Sequence, residues 1–255
     1  MKSGPDAPRL VSLCPSLTET LFDIGAGGAV VGATRFCVRP EDMPGVARVG
    51  GTKDPDVRRI VDLGPTTVFA NREENRREDV ETLRRAGVDV HTSMPRTVAD
   101  VPPLVRDLGR RVGCTEGAER VASDVECALS DARAAAAARG RRTRFAVLVW
   151  RRPWMAATTD TFLSDLLEQA GGENVLDAAR GRYPEVTARD VARLRPECVL
   201  LPSEPFPFGR KHVDELAAAT RFAPERFLTC DGALLTWHGS RTAHGLRAAT
   251  RWMDR

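Results

Sequence analysis

LGPTTVFA at residues 63–70 and LRPECVLL at residues 194–201 say nearly the same thing twice, at an offset of 131 in the numbering. In both, Leu-x-Pro closes a turn and releases an apolar run of the type that fills a buried parallel strand. A second echo lies upstream of each copy. TETLFDIGAGGAVVG (18–32) and FLSDLLEQAGGENVLD (162–177) both read as an amphipathic helix, a glycine stop and a further apolar stretch. Between the copies, Ala118, Val121, Ala122, Val125, Ala128, Leu129 and Ala132 recur at spacings of three and four. That stripe predicts one helix over about 115–139, with Thr115 as N-cap and Gly140 as stop. At 1.5 Å per residue such a rod is roughly 37 Å long, the width of a small domain. Two sibling lobes joined by a rod enclose a groove, and a groove with no catalytic constellation suits a receptor rather than an enzyme. The predicted division is an N-terminal α/β lobe over 1–113, a connecting helix over 114–140 and a C-terminal α/β lobe over 141–255.

Outside the repeat the chain alternates strand and helix, which predicts mostly parallel sheets with helices on both faces. Leu10–Leu13 reads as the first strand. Ser16 and Glu19 then form an S-x-x-E capping box for the helix that runs through Phe22. Phe145–Trp150 opens the second lobe, RRPWMAATTD reads as a loop, and the chain closes with a helix over 241–253.

Bulk composition narrows the function classes. Thirty-eight basic and 35 acidic residues give a net charge of +3, too balanced to argue for nucleic acid. No apolar run is long enough to span a membrane. The first residues, MKSGPDAPRLVSLCPS, lack the apolar core of a secretion signal. The expectation is a cytoplasmic protein, with a periplasmic or extracytoplasmic one as the alternative if a signal has been removed. Six widely spaced cysteines include no CxxC and no Cys/His ligand spacing, so no metal site is predicted. Cys127 and Cys198 fall at core-type positions, whereas Cys14 and Cys37 end apolar runs and are free to face the groove.

Ligands of open parallel sheets bind outside the carboxyl ends of the strands. The loops there carry Cys14, Arg35, Phe36, Cys37, Lys53, Asn71, Glu73, Glu74 and Asn75 in the first lobe. In the second they carry Trp150, Arg151, Trp154, Tyr183, Glu204, Phe206, Phe208, Trp237 and His238. Only 5% of residues are aromatic, yet three of the four tryptophans and the single tyrosine fall in these loops. Rigid aromatic faces suit a large, flat, partly polar ligand. Glu73 and Glu204 share the repeat offset and are candidates for docking a symmetric basic partner. GAGGAVVG (25–32) ends a helix and places Val30 where a dinucleotide fingerprint needs its third glycine. No phosphate-binding loop and no G-x-S-x-G elbow is present, so no catalytic residue is assigned.

CPSLTETLFDIGAG, VGGTKDP, VFANREENRREDVETLRRAGV, AGGENVL, RYPEVTARDVARLRPECVLLPSEP and the late TWHG together resemble the vitamin B12-binding receptors of ABC importers. Those belong to the helical-backbone metal-chelate receptors, which include siderophore and haem binders. The likeness covers about residues 9–250. It implies an α/β fold of two Rossmann-like lobes joined by one long backbone helix (class III periplasmic-binding-protein-like). The ligand, a small-molecule metal chelate such as cobalamin or another corrinoid, is then held in the interlobe cleft, with no intrinsic cofactor. The implied ligand residues are Arg35, Phe36, Cys37, Lys53, Asn71, Trp150, Arg151, Trp154, Tyr183, Phe206, Trp237 and His238. Phe36, Tyr183 and Trp237 match aromatic pocket positions of the family. Lys53 and Asn71 stand where the family often has rings. Glu73 or Glu74 in the first lobe, and Glu204 in the second, would dock on an ABC permease, with Glu78 and Glu215 as competitors. The protein is expected to act as a monomer. A ferric siderophore or haem is the alternative ligand. A cytosolic cofactor sensor, or a cofactor-modifying enzyme using Cys14 or Cys37, is the other class considered.

Overall fold

The structure, a computed structural model, describes residues 8–255. The chain forms two compact units. The first comprises residues up to Pro95, then Asp100–Asp124 and His238–Arg241. The second comprises Arg96–Ala99, Val125–Trp237 and Thr242–Arg255.

The elements of the first unit are, in order, β1 (Leu10–Ser12), α1 (Pro15–Asp23), β2 (Val30–Ala33), β3 (Ala47–Arg48), α2 (Val57–Asp62), β4 (Thr67–Asn71), α3 (Arg77–Arg85), β5 (Val90–Ser93) and α4 (Val101–Val112). The sheet order is β3-β2-β1-β4-β5, and every pairing is parallel. Val11, Leu13, Ile60, Val68, Ala70 and Leu83 are fully enclosed and form the core beneath one face. Parallel strands buried on both sides read as continuous apolar runs, which is why LVSL and TTVFA stood out. α5 (Thr115–Arg139) supplies 25 residues, of which 115–124 belong to this unit and 125–139 to the second. Of its predicted stripe, Ala118, Ala122, Val125, Ala128, Leu129 and Ala132 are buried, and Val121 is half-buried. Gly117 in its first turn lies under the backbone of Ile24, whose carbonyl oxygen an added Cβ would strike.

The second unit contains β6 (Thr143–Trp150), β7 (Met155–Ala157), α6 (Phe162–Gln169), β8 (Gly172–Asn174), α7 (Ala188–Leu194), β9 (Cys198–Pro202), α8 (Arg210–Thr220), β10 (Phe227–Cys230), α9 (Ala233–Thr236) and α10 (Thr242–Met253). β10, β9 and β6 are parallel neighbours, and β8 joins the first half of β6 in parallel. The run β8-β6-β9-β10 therefore repeats β2-β1-β4-β5, and β4 and β9 coincide residue for residue at the repeat offset. The turns before them match as well: Gly64 and Arg195 both adopt left-handed backbone, at φ 58° and 49°.

Several expectations change. β7 pairs antiparallel with the end of β6, where the sequence read a loop; so short a strand carries too little periodicity to announce itself. α9 also forms inside a segment read as loop. The S-x-x-E capping box does not form. Pro15, with its fixed φ, takes the first helical position, so Cys14 becomes the N-cap and has no side-chain capping bond. Likewise Thr115 is the first helical residue rather than the cap. Finally Cys127 is exposed on α5, while Cys198 is buried as expected.

Candidate functional site

In the first unit, three loops leave the carboxyl ends of β1, β2 and β4, and the turn after β3 lies beside them. The turn after β2 exposes Phe36, 49% accessible, with the Arg35 guanidinium 4.9 Å above its ring. Arg35 also donates to both carboxylate oxygens of Asp54, at 3.0 and 3.1 Å. Glycine makes this possible: a Cβ on Gly51 would strike the Asp54 carboxylate, and Gly50 sits at φ +89° beneath the same turn. The VGGT motif is thus the floor under an arginine–aspartate pair. Lys53 donates an Nζ proton to the carbonyl of Glu73. Asn71 is buried and accepts the amide protons of Glu73 and Glu74 on Oδ1, so it organises the loop from within. Cys37 is fully buried, with its sulfur bonded to Thr18 and Thr34 at 3.0 and 3.2 Å. The expectation that Cys14 and Cys37 face a groove is therefore corrected. Burial pushes the Cys14 thiol up to about 12 and raises that of Cys37, so neither supplies a thiolate nucleophile at neutral pH.

His238–Arg241 packs in the first unit although its neighbours in sequence belong to the second. It straps one face of α1. His238 Nε2 lies 3.5 Å from Ser16 Oγ, Gly239 (φ +103°) passes directly over Thr20, and Ser240 N donates to Thr20 Oγ1 at 3.1 Å. Arg241 forms a two-pronged pair with Glu19 in which the side chains are only 14% and 13% exposed. Ser16 and Glu19, expected to cap their own helix, serve this strap instead. Burial depresses the His238 pKa to about 4, so its imidazole is neutral.

The second unit gathers rings at the carboxyl ends of β6 and β9. Trp150 ends β6 and is 43% exposed. Its ring meets Phe206 edge-on at 5.5 Å, and Phe206 lies 4.8 Å from buried Phe208. Trp154 stacks on Phe208 with planes 9° apart. His212 fits edge-on against Phe206 and Phe208, while its Nδ1 accepts the Gly209 amide proton at 3.0 Å. Arg151 lies 4.5 Å over the Trp154 ring and is paired with Glu215, so it braces the cluster. Tyr183 is exposed in the extended segment that bonds along β7. Trp237 is buried at the end of α9 rather than displayed on a loop. Among the docking candidates, Glu74 is exposed and Glu73 half-buried. Glu204 is half-buried, accepts from Thr236 at 3.2 Å and packs on Gly232. No group of three or more His, Cys, Asp or Glu side chains among the described residues is placed to hold a metal ion. No described helix is long and apolar enough to cross a membrane.

Sequence reasoning did not join Phe208, His212 and Glu215 into one cluster with Trp154 and Arg151. A hint was available in the density of rings in PFPFG. It also missed the strap, whose contacts bring a late loop back onto the first helix.

The two α/β units have mainly parallel sheets, divide the residues of α5 between them, and carry rings and paired charges in their strand-end loops. The chain belongs to the Periplasmic binding protein family, whose model matches residues 10–217. It is similar to the vitamin B12-binding protein of Pectobacterium atrosepticum, with 23% identity over 197 residues covering 76% of this chain and 71% of that protein. The vitamin B12-binding protein of Yersinia pestis is 24% identical over 195 residues, covering 76% and 69%. Among solved structures, the periplasmic vitamin B12-binding protein BtuF of Vibrio cholerae superposes with a TM-score of 0.83 at 20% identity, covering 97% of each chain. The periplasmic haem-binding protein RhuT of Roseiflexus sp. RS-1 does so at 0.82 and 23%, covering 97% of this chain and 98% of that one. The fold is that of these binding proteins.

Proposed function

We propose that this protein is the solute-binding component of an ABC-type uptake system and that its ligand is cobalamin or a related corrinoid. The observation that carries this reading is the combination of exposed rings with cations that are already engaged. Trp150, Phe206 and, in the first unit, Phe36 offer apolar surface to a macrocycle. Arg35 is paired with Asp54 and Arg151 with Glu215, and Lys53 is bonded to the Glu73 carbonyl. Paired cations contribute little net field to attract an anion. Their remaining N–H groups, and the backbone of the same loops, still donate hydrogen bonds to neutral amides. Haem, through its propionates, and the anionic catecholate and carboxylate siderophores call for uncompensated positive charge. A corrinoid periphery is rich in carboxamides and does not. The names of the curated relatives point the same way.

Phe36, Trp150, Trp154, Tyr183 and Phe206 are assigned to the macrocycle, and Arg35, Lys53 and Arg151 to its polar edge. The buried positions Cys37, Asn71, Trp237 and His238 act from behind this surface. Delivery to a permease requires the working protein to lie outside the cytoplasm, with Glu74 the exposed docking candidate in the first unit and Glu204 the candidate in the second. A haem ligand is the second reading, favoured by the phenol of Tyr183, which is accessible where the imidazole of His238 is buried. The test is a titration of the purified protein with cyanocobalamin, haemin and a ferric siderophore, followed by tryptophan fluorescence. Quenching by cyanocobalamin at micromolar or lower concentration supports the corrinoid reading. Saturable binding of haemin alone replaces it with the second.

A further inference from the structure

Asn75 follows β4 closely and looks like any polar residue of a loop that precedes a helix. It is buried, and every hydrogen-bonding group of its side chain is engaged. Oδ1 accepts the amide proton of Asn71 at 2.8 Å. The two Nδ2 protons go to the carbonyl of Leu13 at 3.1 Å and that of Thr52 at 3.0 Å. Its own amide donates to the Asn71 carbonyl at 2.9 Å. Because both partners of Nδ2 are carbonyls and the partner of Oδ1 is an N–H, only this orientation of the amide satisfies all three.

The three partners lie in or at the head of three different loops. Leu13 begins the turn that carries Cys14 and Ser16. Thr52 precedes Lys53 and Asp54, and Asp54 in turn holds Arg35. Asn71 heads the loop of Glu73 and Glu74, whose amides it receives. Past the last strand residues the chain leaves the ladder, so the register of these loops against one another depends on side-chain bonds. One carboxamide thus ties together the loops that set Arg35, Lys53 and Glu74.

We infer that Asn75 is the positioning residue of the first unit's ligand-bearing loops, acting through Leu13, Thr52 and Asn71 rather than by touching the ligand. The inference rests on the corrinoid reading only for the choice of ligand. The loop coupling itself is independent of it.

The experiment compares wild type with Asn75→Ala, Asn75→Asp and the exposed neighbour Arg76→Ala. Cyanocobalamin affinity is measured by titration, with folding verified by circular dichroism. Hydrogen exchange is followed in segments 13–16, 51–55 and 71–76. The aspartate keeps the shape and the Oδ1 acceptor but turns an oxygen toward two carbonyls. Both Asn75 variants are expected to weaken binding at least tenfold while folded, and to speed exchange in all three segments together. Arg76→Ala is expected to match wild type. A fall in thermal midpoint with unchanged affinity, or faster exchange confined to 71–76, overturns the inference. If Asn75→Ala does not fold, Asn75→Asp and Asn75→Ser decide on the same readouts. If wild type binds no cyanocobalamin, the corrinoid reading fails and the three-segment exchange pattern alone decides the role of Asn75.

Discussion

Acidification should weaken this protein in measurable part through the imidazole of His238. His238 is buried, and its Nε2 faces a neutral hydroxyl, Ser16 Oγ at 3.5 Å. Burial lowers its pKa from 6.5 to about 4. The Cys14 thiol beside Ser16, pushed up to about 12, stays neutral throughout the range. The unfolded chain therefore takes up a proton as pH falls through 6.5, which the native protein refuses until about pH 4. The contribution is flat above the unfolded pKa, declines between the two values, and is flat again below the folded one. A gap of that size corresponds to roughly 3 kcal/mol across the whole window, of which about 2 kcal/mol is lost by pH 5. Against total stabilities of about 5–15 kcal/mol this is large. Urea unfolding at pH 8 and pH 5, followed by tryptophan fluorescence, measures it in wild type and in His238→Gln. The glutamine keeps a hydrogen-bonding group near Ser16 but does not titrate. Wild type is expected to lose about 2 kcal/mol more than the variant between the two pH values. His91, whose pKa burial also lowers, is present in both proteins and cancels in the difference. Parallel losses in the two proteins would refute the assignment of a buried, neutral His238.

Three further outcomes follow from particular contacts. Trp150→Ala should weaken cyanocobalamin binding at least tenfold, about 1.4 kcal/mol, with little change in unfolding midpoint because the ring is exposed; isothermal titration and a thermal melt separate the two effects. Arg241→Ala leaves Glu19 buried without its guanidinium and should cost about 3 kcal/mol, read as a lower urea midpoint, whereas an unchanged midpoint would mean that the pair is solvent-relaxed. Reaction with a thiol reagent should label Cys127 first, because it is exposed, and leave Cys14 and Cys37 silent until the protein unfolds; rapid native labelling of either buried thiol would contradict their placement.

Much of the fold was legible because its signal is periodic. The internal repeat located β4 and β9, and the alanine–valine stripe located α5, since burial of a strand or of one helix face leaves a pattern in residue type. Elements stabilised by a partner rather than by pattern stayed hidden. β7 holds because β6 runs on one side of it and the segment 184–186 bonds along the other, and α1 starts early because Pro15 prefers the first helical position. The strap His238–Arg241 and the carboxamide of Asn75 were beyond sequence reasoning for a related reason. A histidine, a glutamate or an asparagine looks the same in a solvated loop as in a buried knot. The partners that distinguish the two cases, Ser16 for His238 and Leu13 for Asn75, lie far off in the chain with no periodicity to link them.

The charged residues carried the same ambiguity, and here the structure changes the argument about ligand. In sequence, Arg35, Lys53 and Arg151 are ligand-binding candidates whose own partners cannot be read. Each is engaged: two by carboxylates, with Arg35 and Arg151 also laid over aromatic rings, and one by a carbonyl. A guanidinium held between a carboxylate and a ring is fixed in direction, so what it still offers is an oriented N–H rather than a field. Such donors discriminate by geometry and are weakly screened by salt, whereas capture of an anionic chelate would weaken steeply as ionic strength rises. Corrinoid affinity measured at low salt and again at tenfold higher salt is therefore expected to change less than threefold. A tenfold or greater loss would mean that net charge, and not the paired arrangement of Arg35–Asp54 and Arg151–Glu215, governs what this protein holds.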